Sequence, residues 1–310
     1  MSRLRVGVVG VGALGQHHAR VYAELPDAEL VGVTDLDAAR AAEIAGQHGG
    51  RAFESAEALA EAVDAVSVAV PTVDHHRLAQ PLLRAGKHVL LEKPMTVSLA
   101  EADDLIAAAA ASGAVLQVGH VERFNPAMDV VRAVARAPRF IEVHRLGSFS
   151  PRSLDIDVVL DLMIHDLDIL LALDGSPTVQ VDAVGVPVLT SKVDIANARL
   201  RFESGLIANV TASRVSAERV RKFRVFAERL YVSADFAARE TQVYRLVPGA
   251  SGRPEIAMDR TSAPDEEPLR RQLAAFVAAV RERATPVVTG ADGRRALALA
   301  HEIVGKMAGA

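Results

Sequence analysis

The sequence predicts an α/β protein with an N-terminal Rossmann domain, a doubly wound parallel sheet, followed by an α/β domain with a mostly antiparallel sheet. Three observations predict this fold class. Aliphatic runs alternate with Ala- and Glu-rich helical runs over residues 1–120, which is typical of a parallel sheet with helices on both faces. Period-two apolar patterns occupy much of residues 179–247, as an antiparallel sheet requires. The 310 residues suit two domains of about 150 residues each, which we expect at 1–120 and 121–310, and the C-terminal helix could pack back on the first domain.

Composition excludes several classes of protein. Lys and Arg total 35 against 39 Asp and Glu, a net charge of −4, so no basic field favours a nucleic-acid partner. The chain has no cysteine, which rules out disulfides, thiolate metal sites and cysteine nucleophiles and suits the cytoplasm. No run approaches the roughly 20 apolar residues of a membrane span. We therefore expect a cytoplasmic protein with a small-molecule substrate and with no metal site, no membrane partner and no nucleic-acid partner.

The first domain is predicted to alternate strands and helices. The strands are short aliphatic or β-branched runs bounded by turn residues: Leu4–Val9, Leu30–Thr34, Ala65–Val70, His88–Leu91 and Val115–Val118. The helices are rich in Ala, Leu and Glu: Ala13–Glu24, Leu36–Gln47, Ala56–Ala62, Val73–Ala85 and Ser98–Ala111. Strands separated by helical segments indicate βαβ units, so we expect consecutive strands to lie parallel.

A glycine-rich turn follows the first strand and reads Gly10-Val-Gly12-Ala13-Leu14-Gly15. Gly10 permits a tight turn, Gly12 lets the backbone approach a pyrophosphate, and Gly15 lets the next helix pack closely. The phosphates would then lie on the N–H groups that open this helix. The turn predicts a dinucleotide site; the alternative is a glycine turn used only for packing.

A carboxylate closes the second predicted strand. Asp35 follows Gly15 by 20 residues, the spacing expected of an acid that binds a ribose hydroxyl. Asp35 and Asp37 would repel a 2′-phosphate, so the pattern favours NAD over NADP as cofactor. Arg40 is the nearby residue that argues for NADP.

Polar and charged residues follow two further strands. Pro71, Thr72 and His75 come after one strand, and Glu92 and Lys93 come after the next. Ligands of an open α/β sheet bind beyond the carboxyl ends of its strands, so we expect these residues to line the cofactor cleft. Lys93 would point a cation into that cleft; the alternative is a solvated loop lysine.

A buried helix with three ionisable groups is predicted at Asp157–Leu173. Asp161, His165 and Asp168 fall at i, i+4 and i+7, so one helical face presents two carboxylates around an imidazole. Such groups among aliphatic residues lower stability unless they pair or meet a ligand. The pattern is compatible both with a histidine satisfied by structural partners and with a catalytic site.

The order of these motifs resembles a known family. The segments GVGALG, AVPTVDHH, EKP and DLMIHDLD resemble the glucose–fructose oxidoreductase / inositol dehydrogenase (Gfo/Idh/MocA) family over essentially the whole chain. The resemblance implies a Rossmann domain, then an α/β domain with a large, mostly antiparallel sheet through which subunits form dimers or tetramers. It also implies oxidation or reduction of a sugar or polyol hydroxyl with NAD(P). The family's catalytic lysine falls on Lys93, and its aspartate and histidine fall on Asp161 and His165.

Two segments, GHVERFNPA and DVVLDLMIHDLDIL, resemble the branch of the family that oxidises the 3-hydroxyl of UDP-N-acetylglucosamine. Many members carry glycines just before the catalytic helix, where this chain has Val158 and Val159. This departure bears on the substrate pocket and leaves the aspartate and histidine unaffected.

Three residues are candidates for contact with the substrate. Arg123 and Asn125 lie at the expected hinge between the domains and could bind a phosphate or hydroxyl. Arg152 precedes the catalytic helix, where a guanidinium suits a diphosphate. The structural alternatives are an ordinary helix cap at Asn125 and a solvent-facing arginine at 152.

The rest of the second domain is predicted as a meander and two helices. The strands are Phe140–Gly147, Val179–Val186, Ile195–Phe202, Leu206–Ser213, Lys222–Ala227 and Val243–Val247, with a hairpin turn at Glu203–Gly205. The region Pro248–Pro268 is rich in Gly, Pro and charge, so we predict a mobile loop. The helices are Leu269–Arg283 and Gly293–Met307, with Asp292 as the N-cap of the second.

These expectations combine into an NAD-dependent sugar dehydrogenase that forms a homodimer or homotetramer. His165 would accept the proton of the substrate hydroxyl, Lys93 would stabilise the developing alkoxide, and Asp161 would orient the histidine or a second hydroxyl. Lys93 and His165 could exchange the role of base. The alternatives are an inositol or simple-sugar dehydrogenase, an NAD-recycling glycosidase or epimerase, and a non-catalytic NAD sensor, which would be expected to lose the lysine or histidine.

Overall fold

The structure is a computed structural model that describes residues 2–149, 156–249, 253–262, 264 and 266–307. The chain divides into two compact units: the first consists of Met1–Val121 and Glu267–Leu297, and the second of Glu122–Glu266 and Ala298–Ala310. The first unit thus includes a C-terminal segment in addition to the N-terminal region expected from the sequence.

A parallel sheet forms the centre of the first unit, as the sequence predicts. In the described residues it has six strands in the order β3-β2-β1-β4-β5-β6, with every neighbouring pair parallel. The strands are β1 Leu4–Val9, β2 Ala28–Thr34, β3 Arg51–Ala52, β4 Ala65–Val68, β5 His88–Glu92 and β6 Leu116–Gly119. The order confirms the doubly wound Rossmann fold. The sequence did not reveal β3, because its two exposed residues carry no apolar pattern.

Helices alternate with these strands along the chain and connect them. They are α1 Gly15–Glu24, α2 Ala38–His48, α3 Ala56–Ala62, α4 His75–Arg84 and α5 Leu99–Ser112. α1 and α2 begin two residues later than predicted, because turns occupy the preceding residues. The Asp37 carboxylate accepts the backbone N–H of Arg40 and so caps α2. Ser98 and Glu101 form a capping box that starts α5.

A second, mostly antiparallel sheet forms the framework of the second unit. Among the described residues its order is β14-β13-β12-β11-β7-β10-β9-β8, and β7 with β10 is the parallel pair. The strands are β7 Phe140–Leu146, β8 Thr178–Val186, β9 Ile195–Phe202, β10 Ile207–Ser213, β11 Val220–Ala227, β12 Leu230–Asp235, β13 Glu240–Pro248 and β14 Pro254–Ser262. The predicted antiparallel sheet is confirmed, with β12 and β14 as additional strands.

The prediction of a mobile loop at Pro248–Pro268 is wrong for Pro254–Ser262, which form strand β14. This strand pairs with β13 along its whole length, from Pro254 opposite Pro248 to Ser262 opposite Glu240. β14 is an edge strand whose residues are almost all exposed, so burial imposes no alternation on its sequence. Proline and charged residues are common on edge strands, and the same composition also resembles a loop.

The remaining helices of the described chain are α6 Pro126–Val134, α7 Ile164–Asp174, α8 Pro268–Glu282 and α9 Gly290–Met307, with a π-helical turn at Val159–Met163. α9 begins three residues before its predicted start. Thr289 Oγ1 accepts the N–H of Asp292 at 3.1 Å, and Asp292 Oδ2 accepts the N–H of Thr289 at 2.9 Å. This is a capping box in which Thr289, and not Asp292 as predicted, is the N-cap.

Helix α8, from the C-terminal segment, completes the core of the first unit. Its Leu273 and Phe276 are fully buried in one apolar cluster with Val6, Tyr22 and Ile44. This burial explains why the segment that begins at Glu267 belongs to the first unit. None of the helices described is long and apolar enough to cross a membrane.

Candidate active site

The glycine-rich turn after β1 adopts a backbone that side chains would not permit. Gly10 has φ +83°, and a Cβ at this position would press on the carbonyl oxygen of Ala69. A Cβ at Gly15 would overlap the carbonyl oxygen of Gly10. The two outer glycines are therefore required for the turn itself and for the close approach of α1 to it.

The middle of the turn is open. A Cβ at Gly12 would meet no atom of the described residues within 4 Å, and Gly12, Ala13 and Leu14 are exposed. Leu14 is the N-cap of α1, and its apolar side chain cannot satisfy the N–H groups that open the helix. Open backbone at a helix N-terminus fits a pyrophosphate.

A cavity of about 350 Å³ lies beside this turn in the first unit. It brings together residues from the ends of β1, β2 and β4 and from α3 and α4: Val9, Gly10, Gly12, Thr34, Asp35, Leu36, Glu54, Ser55, Ala56, Glu57, Ala69, Val70, Pro71, Asp74, Arg77 and Leu78. Four of the residues predicted from the sequence to bind the cofactor, Gly10, Gly12, Asp35 and Pro71, thus line one cavity.

The Asp35 carboxylate is fixed at the end of β2. Its Oδ2 accepts the N–H of Val11 at 2.7 Å, and its Oδ1 accepts the N–H of Asp37 at 3.0 Å. A carboxylate has about four acceptor positions, so it retains capacity for ribose hydroxyls. The side chain is therefore held in place by the turn that it would serve.

Among the residues that line the cavity, the charged ones are mainly acidic. Asp35, Glu54, Glu57 and Asp74 all line it, and its basic residue Arg77 donates to Asp74 at 2.8 Å. The cavity thus has an excess of negative charge.

Arg40 braces the glycine-rich turn. Its guanidinium donates to the Val11 carbonyl at 3.3 Å, to Gln16 at 2.7 Å and to Glu43 at 2.8 Å. The bonds to Val11 and Gln16 connect α2 to the turn and to the start of α1, and the bond to Glu43 stays within α2.

His75 lies inside the first unit, between two strand ends. Its ring is 1 % exposed, and its two nitrogens lie 3.0 Å from the carbonyl oxygens of Pro94 and Val70. Burial lowers the pKa of His75, which favours the neutral ring. The residue therefore links the Lys93–Pro94 segment to the end of β4. Thr72 forms a 3₁₀ turn before α4 and is half-buried.

A π-turn changes the predicted helix at Asp157–Leu173. Residues Val159–Met163 are π-helical, and α7 continues from Ile164. π-turns contain an additional residue and are frequent at functional sites. Asp161 and His165 are both half-buried, whereas Asp168 is 1 % exposed. The predicted stripe of three groups therefore consists of two half-buried groups and one interior group.

Asp168 has a structural partner. Arg123 donates Nε to Asp168 Oδ2 at 2.7 Å and Nη2 to Oδ1 at 3.0 Å, and both side chains are buried. Asn125 caps α6 by accepting the N–H of Ala127, and it donates to Glu122. Arg123 and Asn125, which were predicted to contact the substrate, thus have structural roles, and for Asn125 this is the helix cap given as the alternative.

A second buried arginine, missed from the sequence, holds α7. Arg145 on β7 donates two bonds of 2.7 Å to Asp166 and one of 2.8 Å to Glu122. Burial raises the pKa of Asp166. Burial also opposes the charge of Glu122, but the guanidinium of Arg145 outweighs it and lowers the pKa of that carboxyl. Ile141, Val143 and Arg145 alternate inwards on β7, so an arginine at an inward position was the available signal.

The start of the helix at residues 159–174 is anchored by Asp194, which precedes β9 and is fully buried. Its Oδ2 accepts the backbone N–H groups of Val188, Leu189 and Thr190. Its Oδ1 accepts Nε of Arg214 at 2.9 Å, and Arg214 also donates to the Ile156 carbonyl at 2.9 Å. Although burial opposes its charge, these bonds lower the pKa of Asp194. Arg152 lies outside the described residues.

The chain resembles oxidoreductases along its length. Residues 4–120 match a family model described as an oxidoreductase family with an NAD-binding Rossmann fold. Residues 129–232 match the model of the GFO/IDH/MocA C-terminal domain.

Individual relatives resemble the chain over nearly its whole length. The UDP-N-acetylglucosamine 3-dehydrogenase of Acidithiobacillus ferrooxidans is 42% identical over 98% of this chain and 97% of its own. A solved structure of that enzyme superposes with a TM-score of 0.93 at 41% identity, covering 99% of this chain and 98% of that one. An inositol 2-dehydrogenase of Rhizobium meliloti is 29% identical over 98% of this chain and 97% of its own.

Replacing Asp194 with Asn should destabilise the protein at neutral pH. Breaking a buried ion pair typically lowers the free energy of unfolding by about 3 kcal/mol or more. Because folding lowers the pKa of Asp194, its carboxylate stabilises the folded protein fully above the unfolded-state pKa of about 3.9, and this stabilisation is lost as the pH falls through the folded-state pKa. Urea unfolding at pH 7 and at a series of acidic pH values should therefore show that the difference in free energy of unfolding between parent and variant narrows on acidification.

The control is Asp182→Asn, an exposed carboxylate on β8, which should change the free energy of unfolding by less than about 0.5 kcal/mol. Equal stability of Asp194→Asn and the parent at pH 7 would contradict the assigned anchor.

Proposed function

The chain belongs to the GFO/IDH/MocA family of oxidoreductases, and from that premise we propose that it oxidises the 3-hydroxyl of UDP-N-acetylglucosamine to a ketone with NAD. The similarity to the Acidithiobacillus enzyme carries this substrate, because it extends through both units at an identity of 42%. Inositol is the competing substrate, since the inositol dehydrogenase is similar over the same length at lower identity.

We propose NAD over NADP on the charge of the cavity. A 2′-phosphate would enter beside Asp35 and near Glu54 and Glu57, where like charges repel it. Arg40, the residue that argued for NADP, is committed to Val11, Gln16 and Glu43. The open backbone at Gly12 and the retained acceptor capacity of Asp35 support a dinucleotide without that phosphate.

In the proposed reaction, three residues act on the substrate. When bound, NAD supplies the acceptor for the hydride. His165 accepts the hydroxyl proton, because an imidazole changes charge near neutral pH. Lys93 stabilises the developing negative charge on the oxygen, and Asp161, one turn before the histidine, orients the ring or a neighbouring hydroxyl. Lys93 remains the alternative base.

Recognition of the diphosphate is a separate part of the proposal. We do not assign Arg123 to the diphosphate, because its guanidinium is buried against Asp168. Arg152 remains the proposed cation, on the sequence alone, since it precedes the helix that carries Asp161 and His165.

We also propose that the protein forms a homodimer or homotetramer through the second sheet and that it acts in the cytoplasm. Four half-buried aromatic rings, from Phe140, Phe226, Tyr231 and Tyr244, follow one another across β7, β11, β12 and β13 at centroid distances of 5.6, 4.9 and 5.4 Å. Such a ladder offers apolar area for a self-complementary interface. The lack of cysteine suits the reducing cytoplasm.

Incubation with UDP-N-acetylglucosamine and NAD should produce NADH, followed at 340 nm, together with a 3-keto sugar nucleotide identified by mass spectrometry. UDP-glucose, N-acetylglucosamine and myo-inositol serve as competing substrates, and NADP replaces NAD in a parallel series. We expect kcat/KM at least tenfold lower with each of these replacements, because one additional recognised group is typically worth about 1–3 kcal/mol.

Two outcomes would contradict the proposal. Preferential oxidation of myo-inositol would identify a polyol dehydrogenase. Turnover without accumulation of NADH would identify a reaction that recycles the cofactor.

Replacing His165 with Asn should lower kcat by roughly 100-fold or more, the usual contribution of a general base. The affinity for NADH, measured by fluorescence titration, should remain within about threefold, because none of the residues assigned to cofactor binding is changed. His144→Asn is the control, since His144 lies on β7, outside the residues assigned to the reaction. Full activity of His165→Asn would exclude the histidine as base.

Light scattering of the purified protein should give two or four times the monomer mass. Tyr231→Asp, which places a charge in the aromatic ladder, should shift the mass towards the monomer. The control is Leu189→Asp, at an exposed position 62% accessible in the same unit. A monomeric parent protein would contradict the proposed assembly.

A further inference from the structure

Two ionisable residues meet in the interior of the first unit, next to Lys93. His18 lies on α1 and is fully buried, and Glu92 is the last residue of β5 and is 5 % exposed. Nε2 of His18 lies 3.2 Å from Oε1 of Glu92. A buried carboxylate requires a partner, and the imidazole lies within ion-pair distance of it, while the two ring nitrogens of His18 lack hydrogen-bond geometry. Glu92, predicted from the sequence to line the cofactor cleft, points its carboxylate into the interior.

The other oxygen of Glu92 contacts the backbone of Lys93. The N–H of Lys93 lies 3.3 Å from Oε2 of Glu92. The carboxylate thus connects α1 to the peptide group that begins the Lys93 residue. Burial opposes the charge of Glu92, but His18 and then Lys93 outweigh it and lower the pKa of this carboxyl. The carboxylate therefore remains charged at neutral pH.

The neighbouring strand leaves room for this carboxylate. Gly119 on β6 is paired with Glu92 in the parallel register. A Cβ at residue 119 would lie 2.5 Å from Oε1 of Glu92, a distance that real Cβ atoms do not reach. A side chain at 119 would therefore displace the carboxylate from His18.

On the other side of Lys93, His75 contacts the Pro94 carbonyl at 3.0 Å. Both chain neighbours of Lys93 therefore contact a buried histidine: Glu92 contacts His18 of α1, and Pro94 contacts His75 of α4. Helix α1 is also the helix that opens at the glycine-rich turn. His18 therefore connects the helix that follows the glycine-rich turn to the residue before Lys93.

We propose that His18 and Glu92 form a positioning pair for Lys93, holding its backbone in register with the glycine-rich turn. The inference rests on the proposed role of Lys93 in the dehydrogenase reaction. It adds two residues that touch neither substrate nor cofactor and act through Lys93. Misplacing a reacting group by about 1 Å can lower the rate by roughly 100-fold, so a small loosening of this contact has a measurable effect.

The test compares variants on the same helix. His18→Leu removes the ring nitrogens, His18→Gln keeps an N–H donor near the position of Nε2, and Tyr22→Phe is the matched control. Tyr22 lies one turn further along α1, is fully buried, and contacts Ser67 through its hydroxyl at 2.8 Å. It therefore reports the effect of losing a buried hydrogen bond that does not reach Glu92.

We expect His18→Leu to lower kcat by roughly 10- to 100-fold with little change in KM for NAD. His18→Gln should restore most of the activity, and Tyr22→Phe should keep it. Glu92→Gln provides a second variant if His18→Leu does not fold. Its neutral amide replaces the carboxylate that lies against the His18 ring and accepts the Lys93 N–H, so kcat should also fall.

A second measurement needs no substrate. Hydrogen exchange of the Lys93 amide, followed by mass spectrometry on peptides covering residues 92–95, should be faster in His18→Leu and Glu92→Gln and unchanged in Tyr22→Phe. If the parent protein oxidises none of the sugars, the proposed function fails, and the exchange rates alone decide whether the contact exists. Parental kcat and parental exchange in the His18→Leu or Glu92→Gln protein would overturn the inference. A proportional loss of activity in Tyr22→Phe would also overturn it, because the effect would then be one of general stability.

Discussion

Burying a carboxylate costs several kcal/mol of solvation free energy, and a well-placed cation offsets about that amount. Helix α7 buries two carboxylates, those of Asp166 and Asp168. Asp166 meets Arg145 and Asp168 meets Arg123, each through two hydrogen bonds. A helix rotated about its axis could not keep both pairs. The two arginines therefore fix the rotation of α7, and through it the half-buried side on which Asp161 and His165 lie.

The same constraint organises the approach to that helix and the cofactor half of the protein. Asp194 is buried with Arg214, which also binds the carbonyl of Ile156 just before the helix. In the first unit, Glu92 is buried with His18 beside Lys93. Each of these interior charges has a specific partner, and Glu92, Asp166 and Asp168 lie close in the chain to residues assigned to the reaction. Buried pairs of this kind add little net stability, and their effect here is to define geometry.

The sequence predicted those parts of the structure that apolar periodicity controls. Both sheets, the glycine-rich turn and the acid at Asp35 were predicted, because each depends on residue types at a fixed local spacing. β14 was not, since an exposed edge strand has no buried face to impose a pattern. Asp168 was placed on one face with Asp161 and His165, because the helix sequence does not show its buried partner Arg123. Arg123 looked like a substrate ligand for the same reason, since Asp168 lies 45 residues away along the chain. The helix cap at Asn125 depends on local spacing and was among the alternatives that the sequence offered.

The division of the acids on α7 follows from where the arginines lie. Helix residues 161, 165, 166 and 168 all combine charge with aliphatic neighbours, so the helix sequence alone cannot separate the catalytic members from the structural ones. An arginine at an inward position of a period-two strand separates them, because it must meet a carboxylate inside the same unit. Arg145 occupies such a position on β7 and meets Asp166. A charged residue of the helix therefore has a structural role where a buried arginine meets it, as Asp166 and Asp168 show. Asp161 and His165, which are half-buried on the same helix, are the residues that we propose for the reaction.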